Sequence, residues 1–370
     1  MKGVIIMINH GLKGVIATET SISDIDGENG VLIYRGYDVR DLTKRYSFEE
    51  IAYLLWFGHL PTSNQLSELK EELIQNRFLS SEMKKILDCL PNEMDMMSVL
   101  RTVISSEGSS SYKWKPTISQ AIRLTAMIPT IISYRKRAID NKPYVEPHRE
   151  LSHVENYLNM LNGELPSKAQ VTALETYMIL TMEHGMNAST FSARVTASTE
   201  SDLVSSITSA IGTMKGPLHG GAPSEVILLL DEISQTGNAE EVIASKLNKG
   251  EKIMGFGHRV YKTVDPRAIS LKSTLLNQIG EDGWLDLALR VEDTAVRLLE
   301  ERKPGRALYT NVEFYAAAIM KAVSMEPELF TPTFTASRIV GWTAHVLEQA
   351  SNNTIYRPQS KYIGKLVTLS

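Results

Sequence analysis

Three histidines stand among small residues, each where an imidazole could meet a ligand. His184 lies in Glu183-His184-Gly185-Met186-Asn187-Ala188-Ser189-Thr190, at the C-terminal end of a helix-spaced apolar run. A neutral ring there can donate to a ligand carbonyl, while the plainer reading is a terminal His favoured by the helix dipole. A zinc-binding helix needs a second His four positions on, and position 188 is Ala, so no metal site is expected. His219 sits in Gly216-Pro217-Leu218-His219-Gly220-Gly221-Ala222-Pro223. Its small neighbours leave room for a ligand and let backbone approach it, against the alternative of a His that only caps a turn. His258 belongs to Gly255-Phe256-Gly257-His258-Arg259-Val260-Tyr261-Lys262, which runs on to Asp265-Pro266-Arg267. A Gly-x-Gly loop with nearby cations suits a phosphate-bearing ligand. It is not a dinucleotide fingerprint, because Val260 replaces the third glycine, and an ordinary surface turn is the competing reading.

The C-terminal third adds a carboxylate and two arginines. Glu313 lies between Val312 and Phe314 in Tyr309-Thr310-Asn311-Val312-Glu313-Phe314-Tyr315. Apolar surroundings raise a carboxyl pKa toward the range of a general base, whereas a solvated Glu at a helix start would be merely structural. Arg338 interrupts an apolar helix face, and Arg357 precedes Pro358. A buried guanidinium needs a carboxylate or phosphate partner, supplied by a ligand or by an internal salt bridge. Together the three His, the Arg and one semi-buried carboxylate describe a site for a small polyanion reacting by proton transfer.

The elements that must carry these residues read as helices. Ser47 with Glu50 forms a capping box before Ile51, Leu54 and Leu55, and the helix stops at Gly58 and Pro61. Val204, Ile207, Ile211 and Met214 keep helical spacing, as do Trp284, Leu287, Val291, Ala295 and Leu298. Val171, Leu174 and Met178 do so before Glu183, and Ile339, Trp342 and Val346 after Ser337. Residues 11–37 read as an irregular segment with one short strand, Val31–Tyr34. Without strands alternating with helices, the expected fold class is all-α. No repeat and no Pro/Ser-rich linker divides the chain, so a second domain must be an insertion, and the Gly/Pro break around His219 is where a hinge could sit.

Composition removes other classes. The 370 residues hold 39 Lys+Arg and 43 Asp+Glu, a net charge of −4, so no strongly charged partner is implied, and no basic stripe with aromatics suggests nucleic acid. Length suggests roughly two domains, and 43% hydrophobic residues can fill their cores. A single cysteine, Cys89, excludes a disulfide framework and a Cys-rich zinc site. The apolar patch ending at Ile8 is too short for a signal peptide, and no window approaches the roughly 20 apolar residues of a membrane span, so a cytoplasmic protein is expected.

Three blocks, EHGMNAST, GPLHGGAPSEV and MGFGHRVYKTVDPRA, resemble those of citrate synthases. ETSISDIDGENGVLIYRG, SRIVGWTAHVLEQ and RPQSKY extend the likeness over essentially the whole chain, closest to the short bacterial and archaeal form. The resemblance implies an almost wholly helical homodimer with a large domain, residues 1–219 and 326–370, and a smaller inserted domain, residues 220–325, that closes over the substrates. It implies condensation of acetyl-CoA, as cosubstrate, with oxaloacetate, and no permanently bound cofactor. His219 would bind the thioester carbonyl, Glu313 would take the methyl proton, and His258 would donate to the ketone oxygen. His184, Arg267, Arg338 and Arg357 would hold oxaloacetate, Arg357 reaching in from the partner subunit. Lys252, Ile253, Met254, Gly255, Phe256, Arg259, Lys262 and Asn311 would line the CoA site. Glu313 departs from the family's usual Asp, and Thr310 stands where Pro is usual. A longer base fits only with a shift of about 1 Å, and a misplacement of that size can cost on the order of a hundredfold in rate. A 2-methylcitrate synthase using propionyl-CoA, or a weakly catalytic paralogue that binds CoA or dicarboxylates, are the alternatives.

Overall fold

The computed structural model describes residues 8–220, 222–278, 283–306 and 308–366. The N-terminal patch up to Met7, Gly221 beside His219, and the last four residues lie outside these. Among the described residues there are seventeen α-helices and one small sheet, so the fold is all-α.

Local chemistry starts and stops the helices. Ser47 accepts from the Glu50 amide and Glu50 Oε2 accepts from the Ser47 amide at 2.8 Å, while Gly58 takes the left-handed conformation (φ 85°) that ends Phe48–Phe57. Thr62/Gln65, Thr117/Gln120 and Ser167/Gln170 repeat the box at three more helices. The spaced apolar residues become the buried faces of Leu203–Met214 and Gly283–Arg302.

Two readings need correction. The N-terminal segment is more ordered than an irregular stretch with one strand: β1 (Ser23–Asp26), β2 (Val31–Tyr34) and β3 (Tyr37–Asp38) form an antiparallel sheet, with Ser23 opposite Tyr34 and Asp26 opposite Val31. The polar β1 escapes pattern reading because its register is set by the turn. Asp26 Oδ1 accepts from the amides of Glu28 and Asn29, both at 3.0 Å, an Asx-type arrangement. The Gly/Pro segment around His219 is not an open break either. Pro217–Gly220 is one helical turn and Ala222–Thr236 a full helix, because proline near a helix start withholds only an amide that has no intrahelical partner anyway.

The helix Phe330–Ser351 runs through the centre, with Trp342 fully buried, and packs against Phe48–Phe57, Ile118–Ile139, Lys168–Thr181, Ala188–Ser198 and Leu203–Met214. A second group, Ala222–Thr236, Ala239–Asn248, Gly283–Arg302 and Val312–Ala322, packs largely on itself. The groups meet where Pro266–Gln278 and Val312–Ala322 lie against Lys168–Thr181, the helix that leads into Glu183 and His184. No described helix is long and apolar enough to cross a membrane.

Candidate active site

His184 and His258 face each other at that junction, with ring centroids 5.6 Å apart. His184 Nε2 shares a proton with the Tyr261 hydroxyl at 3.1 Å. Backbone fixes the other ring: His258 Nδ1 accepts from the amides of Val260 (3.0 Å) and Tyr261 (3.1 Å), which assigns the proton of the neutral ring to Nε2, the atom that also lies 3.3 Å from Arg267 Nη2. Burial, reinforced by Arg267, pushes the His258 pKa down to about 4. His184 falls well below the ordinary value through burial and the charges of Arg267 and Arg338. Both rings are therefore neutral near pH 7 and can act as hydrogen-bond donors.

Arg267 opens the helix Pro266–Gln278 and is held bidentately by the buried Asp265, Nε to Oδ1 at 3.0 Å and Nη2 to Oδ2 at 2.8 Å. Burial opposes both charges, yet the pairing holds Asp265 below and Arg267 above its usual range. Nη1 of Arg267 has no hydrogen bond among the described residues. Asp265 Oδ2 also accepts from the Val312 amide at 3.0 Å, so one carboxylate ties Arg267 to the helix Val312–Ala322.

Glu313 stands in the first turn of that helix, capped by Asn311, whose side chain accepts from the Glu313 amide at 3.0 Å. The Glu313 carboxylate makes no hydrogen bond among the described residues, and burial pushes its pKa up to about 7, against the lowering effect of Arg267. The Gly-x-Gly loop is stitched beneath it. The Asn311 amide donates to Gly255 O (2.9 Å), Asn311 Nδ2 to Gly257 O (2.9 Å), and the Gly257 amide to Tyr309 O (2.7 Å). Both glycines have positive φ, 88° and 80°, and a Cβ on Gly257 would come within 2.8 Å of Leu308, which accounts for the spacing.

His219 completes the ring of groups from the other side. Its Nε2 is 2.7 Å from Ser189 Oγ, which accepts from Trp342 Nε1 (3.0 Å) and donates to Asn187 Oδ1 (2.8 Å). Asn187 Oδ1 also accepts from the Thr190 amide, and Nδ1 of His219 makes no hydrogen bond among the described residues, which leaves that atom for a ligand. Burial and Arg338 bring the His219 pKa down to about 4.

Arg338 is 2% exposed, lies over the Phe334 ring at 4.6 Å, and donates only from Nε, to Thr181 O at 2.6 Å. Burial pulls its pKa down to about 10, with Glu183 opposing. No carboxylate pairs with it among the described residues, so the internal salt bridge is absent and the Nη fork is unspent. Glu183 serves His345, whose Nε2 reaches Oε1 at 3.1 Å, while Arg194 donates to His345 Nδ1.

Of the residues read from sequence, His184, His219, His258, Arg267, Glu313 and Arg338 thus form one electrostatic cluster. Ile253 and Gly255 are buried, and Met254 and Phe256 half-buried, beneath it, and both ends of the Asn311 side chain are used internally. Lys252 and Arg259 are exposed, and Lys262 pairs with Glu28. Arg357 is exposed in the segment after the central helix and makes no hydrogen bond or ion pair among the described residues. Sequence reasoning passed over Asp265, Ser189 and Tyr261, although all three stand inside the blocks quoted for the histidines. Among the described residues no group of three or more His, Cys, Asp or Glu could hold a metal.

Neutral imidazole donors, two guanidinium groups with unspent N–H and a carboxylate poised near neutrality suit carbon-acid chemistry on an anionic substrate, on an all-helical scaffold. The chain belongs to the citrate synthase family, whose C-terminal domain description matches residues 11–359, and it is an acyltransferase. It is 44% identical over 364 residues to citrate synthase 2 of Bacillus subtilis, covering 96% of this chain and 95% of the relative. It is 40% identical to the 2-methylcitrate synthase of Mycobacterium tuberculosis, covering 96% of this chain and 91% of that one. The crystal structure of citrate synthase from Thermotoga maritima superposes with a TM-score of 0.88 at 40% identity, covering 98% of each chain.

Proposed function

We propose that the enzyme condenses acetyl-CoA with oxaloacetate and water to give citrate and CoA, without a permanently bound cofactor. The observation that carries this reading is Arg338, a buried guanidinium whose fork meets no carboxylate among the described residues, beside Arg267 and Glu313, whose Nη1 and carboxylate have no hydrogen bond among them either. A dicarboxylate supplies the charge that the protein withholds. Glu313 takes a proton from the acetyl methyl group while His219 donates to the thioester oxygen, giving the enol. The enol carbon attacks the ketone carbon of oxaloacetate, His258 Nε2–H passes to the ketone oxygen, and water then cleaves the citryl thioester. His184, Arg267, Arg338 and the partner subunit's Arg357 hold oxaloacetate.

Residues 220–325 form the closing domain, hinged near His219, and the remainder the large domain. Closure removes water from around the enol. The working form is a cytoplasmic homodimer. CoA runs along residues 252–256, with Arg259 near its phosphates and Lys262 released from Glu28 to join it. Acetyl is favoured over propionyl because the methylene that Glu313 adds relative to Asp occupies space a longer acyl chain would need.

The test is CoA release from acetyl-CoA and propionyl-CoA, each with oxaloacetate, for wild type and Glu313→Asp. Expected is a preference for acetyl-CoA of roughly 10- to 200-fold, the range one methylene commands. Glu313→Asp should be slower with acetyl-CoA and less selective. A propionyl preference in wild type makes 2-methylcitrate the product. Binding of both substrates without turnover refutes catalysis.

A further inference from the structure

Glu292 projects from the helix Gly283–Arg302, outside the cluster described above, and its carboxylate joins three elements of the site. Oε1 accepts from Thr310 Oγ1 at 2.6 Å, and Oε2 accepts from the Tyr315 hydroxyl at 2.5 Å and from Lys272 Nζ at 2.6 Å. Thr310 and Tyr315 flank Glu313, three residues before it and two after. Lys272 lies on the helix that Arg267 opens. Thr310 is 4% and Tyr315 1% exposed, so these are interior contacts, and hydrogen bonds to a charged group are the stronger kind.

We infer that Glu292 is a positioning residue for the base: by gripping Thr310 and Tyr315 it fixes the rotation and depth of the helical turn that presents the Glu313 carboxylate. The inference rests on Glu313 being the base. Among the described residues the Glu313 carboxylate makes no hydrogen bond of its own, so its backbone aims it. Asn311 and the Asp265 that pairs with Arg267 hold that backbone at the Glu313 and Val312 amides. Glu292 holds it through the side chains of Thr310 and Tyr315. Arg267 keeps its own partner in Asp265, so loss of the Glu292 grip disturbs proton abstraction and leaves oxaloacetate binding in place.

The experiment measures kcat, KM for oxaloacetate and the pH profile of kcat/KM for wild type, Glu292→Gln, Thr310→Val, Thr310→Ser and Glu313→Gln. Glu292→Gln is expected to lower kcat about tenfold, a fraction of the hundredfold that a 1 Å misplacement costs. It should leave KM for oxaloacetate within about twofold and move the acid midpoint of the profile. Thr310→Val, which removes one hydroxyl and tests the grip even if Glu292→Gln folds poorly, should lose kcat about threefold, and Thr310→Ser should restore it. Unchanged kcat and midpoint in Glu292→Gln and Thr310→Val overturn the inference. So does a parallel loss of kcat, oxaloacetate affinity and thermal stability in both variants, the mark of a merely structural role. If Glu313→Gln retains turnover, the assignment of the base fails, a result separate from either.

Discussion

Replacing Glu313 by Gln should abolish turnover and at the same time stabilise the protein, by an amount that grows with pH. Burial lifts the Glu313 carboxyl to about 7 from an ordinary 4.5. At 1.36 kcal/mol per pKa unit this gap corresponds to about 3 kcal/mol. Below pH 4.5 the group is protonated in both folded and unfolded chains and carries no penalty. Between 4.5 and 7 the unfolded chain ionises first, so folded stability falls as pH rises, and above 7 the whole penalty stands. Gln keeps the shape and cannot ionise, so the variant should exceed wild type by about 1 kcal/mol at pH 5.5 and about 3 kcal/mol at pH 8. Urea unfolding of both proteins at matched concentration and several pH values measures the difference directly. A difference that is flat with pH, or a wild type more stable at pH 8, would refute the claim that burial holds this carboxyl near neutrality. The same titration sets the acid limb of kcat/KM, which should fall tenfold per pH unit below a midpoint near 7.

Arg338→Met should raise the melting temperature of the ligand-free protein, because a buried guanidinium without a carboxylate is replaced by an apolar chain of similar length. The variant should lose the thermal shift that oxaloacetate gives wild type, about 2.7 kcal/mol at a hundred times Kd. A preserved shift would remove Arg338 from the substrate site. Gly27→Ala places a Cβ against the carbonyl oxygen of Val260, closer than real Cβ contacts allow. The neighbour is backbone and part of the His258 loop, so kcat should drop with a loss of roughly 1 to 3 kcal/mol in stability, and unchanged kinetics would show that the hairpin does not hold that loop.

What could be read from the sequence was what short spacing encodes. The Ser47/Glu50 box and the Gly58 stop are set by neighbours within a turn or two, and the apolar stripes of Leu203–Met214 and Gly283–Arg302 follow from the helical period. The β1 strand was hidden because Ser-Asp-Ile-Asp has little strand propensity, and its pairing comes from the Asx-type turn and from tertiary contacts such as Ser23 Oγ to Glu183 Oε1 at 2.9 Å. The reactive histidines stood out because small residues surround them. Asp265 and Glu292 did not, since acidic residues are common and only the folded chain shows their oxygens shared among an arginine, a lysine, hydroxyls and an amide. Arg338 was ambiguous on sequence grounds because its missing partner is a fact about space: the nearby acid, Glu183, gives Oε1 to His345 and Ser23, and its unpartnered Oε2 forms no ion pair with Arg338.

The central position of Phe330–Ser351 has a consequence during translation. Trp56 Nε1 donates to Thr343 Oγ1 across 287 residues, and Ser21 binds Glu348 across 327. At roughly 5 to 20 residues per second, the helix Phe48–Phe57 leaves the ribosome on the order of 15 to 60 seconds before the helix it packs against. Through that interval the faces that pack on Phe330–Ser351 stay open, although Phe48–Phe57 can already meet Ser63–Asn76, His153–Asn162 and Lys168–Thr181. A chain stalled short of residue 330 would therefore keep bare the faces of Phe48–Phe57, Ile118–Ile139, Lys168–Thr181, Ala188–Ser198 and Leu203–Met214 that the last helix covers.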